Sequence, residues 1–144
     1  MDRLHRIALS LGLASAVLTG CSKAAPPAPG PEPGPSSSLL SVVTFPAGSK
    51  LEKTEQTSGA GAIESWIVPL SFAEETARLR KQLPIDRSFA GAPYKGEEAG
   101  IDKAGNEVIR WTWTDAPRTQ SMVDVGAVAI TSGHTKVIVG VNEG

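Results

Sequence analysis

Few residues in this chain could carry chemistry. Its 144 residues include two histidines and one cysteine. His5 lies beside an apolar N-terminal run, so His134 is the histidine available to a folded domain. A nucleophilic arrangement would need a serine with His134 and either Asp115 or Asp124, because a hydroxyl attacks only when a base takes its proton and an acid orients that base. No G-x-S-x-G elbow occurs, and "TSGH", Thr131 to His134, reads as a tight turn. A zinc centre needs several nitrogen or sulfur ligands, so histidine–cysteine zinc is excluded. Glu97, Glu98, Asp102, Asn106 and Glu107 gather oxygen atoms. Their spacing does not match a calcium loop, and they read as a solvated acidic stretch. Neither a Walker loop nor a G-x-G-x-x-G turn is present. No cofactor and no metal is expected, and the chain reads as a non-enzyme.

The cysteine has a different logic. Arg3 and Arg6 precede an apolar run, Ile7 to Leu18, then Thr19, Gly20 and Cys21. A charged start, a short apolar core and small residues are the layout of a secretory signal peptide. Twelve helical residues span ~18 Å. That is short of a ~30 Å hydrocarbon core. The last four residues, Leu18-Thr19-Gly20-Cys21, resemble the lipobox of bacterial lipoproteins. The resemblance covers about the first 21 residues and says nothing of the domain that follows. It implies that the Cys21 thiol receives a diacylglyceryl group and that signal peptidase II cleaves before it. Residues 1–20 are then a signal peptide and Cys21 is the mature N-terminus. One acyl chain holds a membrane only marginally, whereas two or more attach stably. The expected location is the cell membrane or, with Ser22 after the cysteine, the outer membrane, with the domain outside the cytoplasm. Acylation would also consume a thiol otherwise free to bridge or react.

Residues 22–38, "SKAAPPAPGPEPGPSSS", hold six prolines and two glycines and offer nothing to bury. They read as a linker that could extend up to ~50 Å at ~3.1 Å per residue. The whole chain carries a net charge of −1. Without its first 20 residues the balance is near −2. No basic excess neutralises phosphates, so nucleic acid is not an expected partner.

The domain is expected over residues 39–144 as an α+β fold, an antiparallel sheet of four to five strands with one helix on one face. Leu39–Phe45 is rich in β-branched residues and reads as a strand, as does Ile63–Val68, with strand character around Lys50–Thr57. Ser71 and Glu74 form a capping box for a helix over 71–83, where Phe72, Thr76, Leu79 and Leu83 share a face and Pro84 stops the run. Residues 85–107 show no period and read as a long loop, closed by a turn at "DKAGNE". Three strands follow, the last two joined at Thr131–His134.

Alternation divides those last strands. Ile109, Trp111 and Trp113 share one side, with Val123, Val125 and Ala127 and then Val137, Val139 and Val141. Trp66, Trp111 and Trp113 are read as core rather than as ligand-stacking groups. The other side carries Val108, Met122, Val128, Ile130 and Ile138 among Arg110, Thr112, Thr114 and Asp124. That side is too apolar for a plain solvent face and too polar for a second core. Phe89, Tyr94 and Ile101 are expected to draw the 85–107 loop over it or its edge. They would leave a shallow groove lined by those three residues and Arg110.

These features lead to a membrane-anchored envelope lipoprotein with a non-enzymatic binding domain for another envelope protein or a small ligand. An envelope hydrolase using His134 and a purely structural lipoprotein are the alternatives. Replacing Cys21 with Ser removes the only atom that can form the thioether. Metabolic labelling with a fatty-acid probe is expected to mark the wild type and not Cys21→Ser, which should accumulate unprocessed.

Overall fold

The computed structural model describes residues 33–57, 59–115, 122–131 and 133–142. The expected signal peptide, Cys21, most of the expected linker and Ser132 lie outside the described residues.

Six strands form one antiparallel sheet. In chain order the elements are β1 (Lys50–Gln56), β2 (Ala62–Val68), α1 (Phe72–Gln82), β3 (Tyr94–Ile101), β4 (Glu107–Thr114), β5 (Met122–Thr131) and β6 (His134–Asn142). The spatial order is β1-β2-β6-β5-β4-β3. The chain therefore builds one hairpin, crosses through α1, and lays down a four-stranded meander whose last strand returns beside β2.

The expected class is right, but the strand count is six rather than four to five. The missed strand is β3, inside the stretch read as a loop. Its "YKGEEAGI" holds two glycines and does not alternate, and only Tyr94 and Gly96 escape full exposure. Partnership makes it a strand: Glu97 faces Trp111 and Ala99 faces Ile109 across the ladder. The turn at its end follows the sequence reading. The Asp102 carboxylate accepts from the N–H of Ala104 at 2.8 Å and of Asn106 at 2.9 Å, closing the connection to β4.

Alternation in β4, β5 and β6 sets the core as expected. Trp111, Trp113, Val125, Ala127, Val137 and Val139 are fully buried on one face, with Trp66 and Val68 of β2. Leu79 of α1 and Leu83, just after its last turn, descend onto this face. The helix starts where expected: Ser71 accepts from the Glu74 N–H, and the Glu74 carboxylate accepts from the Ser71 N–H at 3.0 Å. Such reciprocal capping satisfies two helix-end donors that would otherwise lack partners.

The segment before β1 departs from the reading. Leu39–Phe45 is no strand but one side of an irregular loop, with a single bridge from Ser36 to Thr44. Its apolar residues still reach the core: Leu40, Val43 and Phe45 are buried, and Phe45 stacks on Trp66 with ring centroids 4.6 Å apart. The domain also begins before Leu39. The Phe45 N–H donates to the Pro35 carbonyl at 2.8 Å. A Cβ on Gly34 would come within 1.9 Å of the Phe45 carbonyl oxygen, so only glycine allows that approach.

Glu64 explains why this segment docks. Its position on β2 faces the core, and it is 1% exposed. A buried carboxylate needs donors, and here they come from the end of the expected linker. Ser37 Oγ donates at 2.6 Å and the Ser38 N–H at 3.1 Å, with Ser38 Oγ also in contact; Trp66 Nε1 adds a bond at 3.1 Å. Burial pushes the Glu64 carboxyl up, but these bonds together hold it below its ordinary 4.5. A folded value below the unfolded one stabilises the fold above pH 4.5, and that contribution is lost as pH falls through the folded value. A chain begun at Leu39 is expected to be less stable than one begun at Pro33 by about 3 kcal/mol or more near neutral pH. The gap should narrow below pH 4.5, and urea unfolding across pH measures it.

Glu75, on the buried side of α1, has the opposite sign. It is 0% exposed, it bonds only Arg78 at 3.1 Å, and its second oxygen has no hydrogen-bond partner. Burial pushes its carboxyl above 4.5, against the pull of Arg78. The ionised form therefore costs stability above the folded value, and the cost vanishes below 4.5. Glu75→Gln is expected to equal or exceed the wild type at pH 7 and to lose any advantage as pH approaches 4.5, read by the same unfolding curves.

Candidate functional site

Three segments outside the sheet pack on the tryptophan face. Residues 33–46 reach Trp66 through Phe45, α1 reaches the core through Leu79, and residues 83–93 reach Trp113 through Phe89. Among the described residues, the opposite face is left to strand side chains. Its apolar residues are half-buried by their neighbours rather than covered by an element.

A hollow of about 460 Å³ lies on that face. Every residue lining it belongs to β2, β4, β5 or β6, except Thr57 just after β1. Register explains its shape. Gly126 of β5 pairs with Ile138 of β6, and Gly140 of β6 pairs with Asp124 of β5. Two positions without side chains thus sit diagonally on adjacent central strands, with Ile63 and Ile138 beside them. Val108 and Val128 rise at one end. Met122 and Asn142, another register pair, rise at the other with Thr57.

The wall toward β4 carries an ion pair. Arg110 Nε donates to both Asp124 oxygens, at 2.8 and 2.6 Å, and its terminal nitrogen also contacts that carboxylate. Hydrogen bonding to Asp124 raises the Arg110 value further. The pair spans the diagonal between strands, so two long polar side chains fold flat against the rim.

The residues expected to form a groove separate. Arg110 lines the hollow. Phe89 and Tyr94 do not: they lie on the tryptophan side, edge-on and tilted against Trp113 at 5.6 and 5.4 Å between centroids. Ile101 is 65% exposed at the end of edge strand β3. The loop was expected on the wrong face because the sequence does not show that Trp113 needs its cover. The Trp113 indole N–H donates to the Arg87 carbonyl at 3.1 Å and the Pro84 carbonyl at 3.3 Å, which holds the loop there. Phe89 and Ala92 then exchange backbone bonds around Ala90 and Gly91, both at positive φ, as a two-residue hairpin turn requires.

The residues weighed for chemistry are dispersed. His134 is exposed at the β5–β6 hairpin, paired with Thr131. Asp124 pairs with Gly140, six residues farther along β6, which is about 20 Å at strand rise. Asp115 follows Thr114, whose row ends at Asn142, farther still from His134. Neither aspartate is placed to orient the imidazole. The acidic cluster is likewise divided among structural partners. Glu97 accepts from Arg80 at 2.7 and 3.2 Å and from Trp111 Nε1 at 2.6 Å. Arg80's bonds lead in holding its carboxyl below the ordinary value. Asp102 is engaged by its own turn. Among the described residues, no three carboxylate, histidine or cysteine groups converge on a point that could hold a metal.

No family model, curated protein or solved structure matches this chain. The hollow itself was half legible. Its apolar residues follow from alternation, whereas Gly126 and Gly140 form a floor only once β5 and β6 are in register.

Proposed function

We propose that this chain is a lipid-anchored lipoprotein of a bacterial envelope whose domain works by binding rather than by catalysis. The Leu18-Thr19-Gly20-Cys21 pattern and the proline-rich stretch after it support the anchor and the spacer. One observation carries the binding role: described segments pack on one side of the sheet and leave an apolar hollow on the other. Its volume falls within the ~300–1,000 Å³ of small-molecule sites. Engagement of Glu64, Glu97, Asp102 and Asp124 in structural bonds favours binding over acid–base work.

The test compares what the hollow retains in the cell. The wild type and a Gly126→Val/Gly140→Val variant, both taken from membranes in mild detergent, are extracted and analysed by mass spectrometry. The wild type is expected to carry a small molecule that the variant lacks. Identical extracts would overturn the reading.

A further inference from the structure

Gly126 and Gly140 call for an explanation. Glycine inside a strand weakens it, and it usually marks a bulge, a bend or a close approach. None of these applies here. Neither residue has positive φ, and the β5–β6 register runs without a shift from Met122 to Ala129. A Cβ on Gly126 would meet its nearest neighbour, the Ile109 carbonyl oxygen, at 3.6 Å. One on Gly140 would meet Ile63 Cγ1 at 3.7 Å and Asp124 Cβ at 3.8 Å. All are ordinary contacts, so the backbone leaves room for a Cβ at either place. What the glycines supply is the empty space above them.

The charges around that space are already matched. Arg110 and Asp124 neutralise each other at one wall. A ligand anion drawn to Arg110 would meet the Asp124 carboxylate, and Glu98 lies opposite Arg110 on β3. A ligand cation drawn to Asp124 would meet the guanidinium. At the far end, Thr57 and Asn142 are uncharged, and the Thr57 hydroxyl is buried with no hydrogen-bond partner. Both polar ends can therefore hydrogen-bond a neutral group, neither favours an anion, and the one carboxylate that lines the hollow is already held by Arg110.

The shape selects a single chain rather than a bilayer. The large exposed apolar residues among those described are Val42, Leu51 and Ile101, and none of them lines the hollow. Its apolar side chains sit recessed in a concave floor, which can receive a chain but cannot insert into a membrane.

Resting on the binding role proposed above, we infer that the hollow over Gly126 and Gly140 takes one acyl chain of a monomeric amphiphile whose headgroup is uncharged and hydrogen-bonding, such as a monoacylglycerol.

The experiment uses the chain from residue 21 with Cys21→Ser, so that no attached lipid competes. Glycerol monolaurate, laurate and dodecylammonium are titrated below their aggregation concentrations at pH 7.5, followed by calorimetry and by amide shifts. Glycerol monolaurate is expected to bind at least tenfold more tightly than either charged probe and to shift the amides of Gly126, Val128, Ile138 and Gly140. Gly126→Val/Gly140→Val is expected to keep its unfolding midpoint or raise it, since valine suits a strand, and to lose the binding. Should that variant fail to fold, Gly126→Ala alone serves, with a weaker loss expected. Equal or tighter binding of a charged probe would overturn the headgroup class and leave the binding role standing. Full binding by a folded variant would place the chain elsewhere and overturn both. Failure of all three probes to bind, or association with uncharged phosphatidylcholine vesicles and not with monomeric monolaurate, would overturn the acyl-chain inference alone.

Discussion

Each of the three tryptophans is buried on one face of the sheet, and each buried indole N–H must find an acceptor there. The acceptors sit in three different places. Trp66 donates to Glu64, whose other donors come from Ser37 and Ser38. Trp111 donates to Glu97 of β3, which also grips Arg80 of α1, while that guanidinium lies 6.0 Å from the Trp111 ring centre. Trp113 donates to carbonyls of the loop after α1. Every covering segment is thus linked to a tryptophan N–H, directly for the loop after α1 and through the shared carboxylates of Glu64 and Glu97 for the other two. The large rings anchor the core, and the N–H groups help decide which segment lies over which ring.

One-sidedness follows from this. The 11-residue helix and two irregular segments are all consumed by the tryptophan face. The other face has no such hooks. Its polar residues pair within the sheet: Arg110 with Asp124, and Lys136 with Glu52 at 2.8 Å. Among the described residues, neighbouring strands are what shields its apolar side chains. Partly exposed pairs of this kind contribute little to stability, so this face adds less to the fold than the tryptophan face does. It is also the place where the domain has apolar surface to offer.

Sequence and structure agree where a single period or a local bond decides the outcome. Trp111 and Trp113 lie two residues apart, which put them on one face before any fold was known, and Ser71 with Glu74 marks its own helix start. Disagreement arises where a distant partner decides. β3 carries little strand preference of its own and exists through Glu97 and Ala99 against β4. Leu39–Phe45 has the composition of a strand, yet Glu64 needs Ser37 and Ser38, so the segment turns back on itself instead of joining the sheet. A hint was present: Ala62, Glu64, Trp66 and Val68 share a face by alternation, so one acidic side chain had to be buried with donors supplied from elsewhere. The hollow was legible as an apolar face but not as a cavity, because its floor depends on where two glycines fall relative to each other across a ladder.

The edges of the sheet bear on which surface can meet a partner. Open edges offer unpaired backbone groups and invite strand-to-strand association. Both edges carry the usual safeguards. β1 reads "KLEKTEQ", exposed throughout, and its pairing shifts between Leu51 and Lys53. β3 holds Lys95, Glu97 and Glu98, and its pairing shifts between Tyr94 and Gly96. A bulge twists each edge away from a straight template, and charges of both signs line it. Growth of the sheet by a seventh strand is disfavoured on either side. The tryptophan face is packed, and the edges are guarded. Of the surfaces the described residues form, the recessed floor between Ile63, Val128 and Met122 is the one whose apolar groups remain reachable without disturbing a hydrogen-bonded ladder or a buried indole.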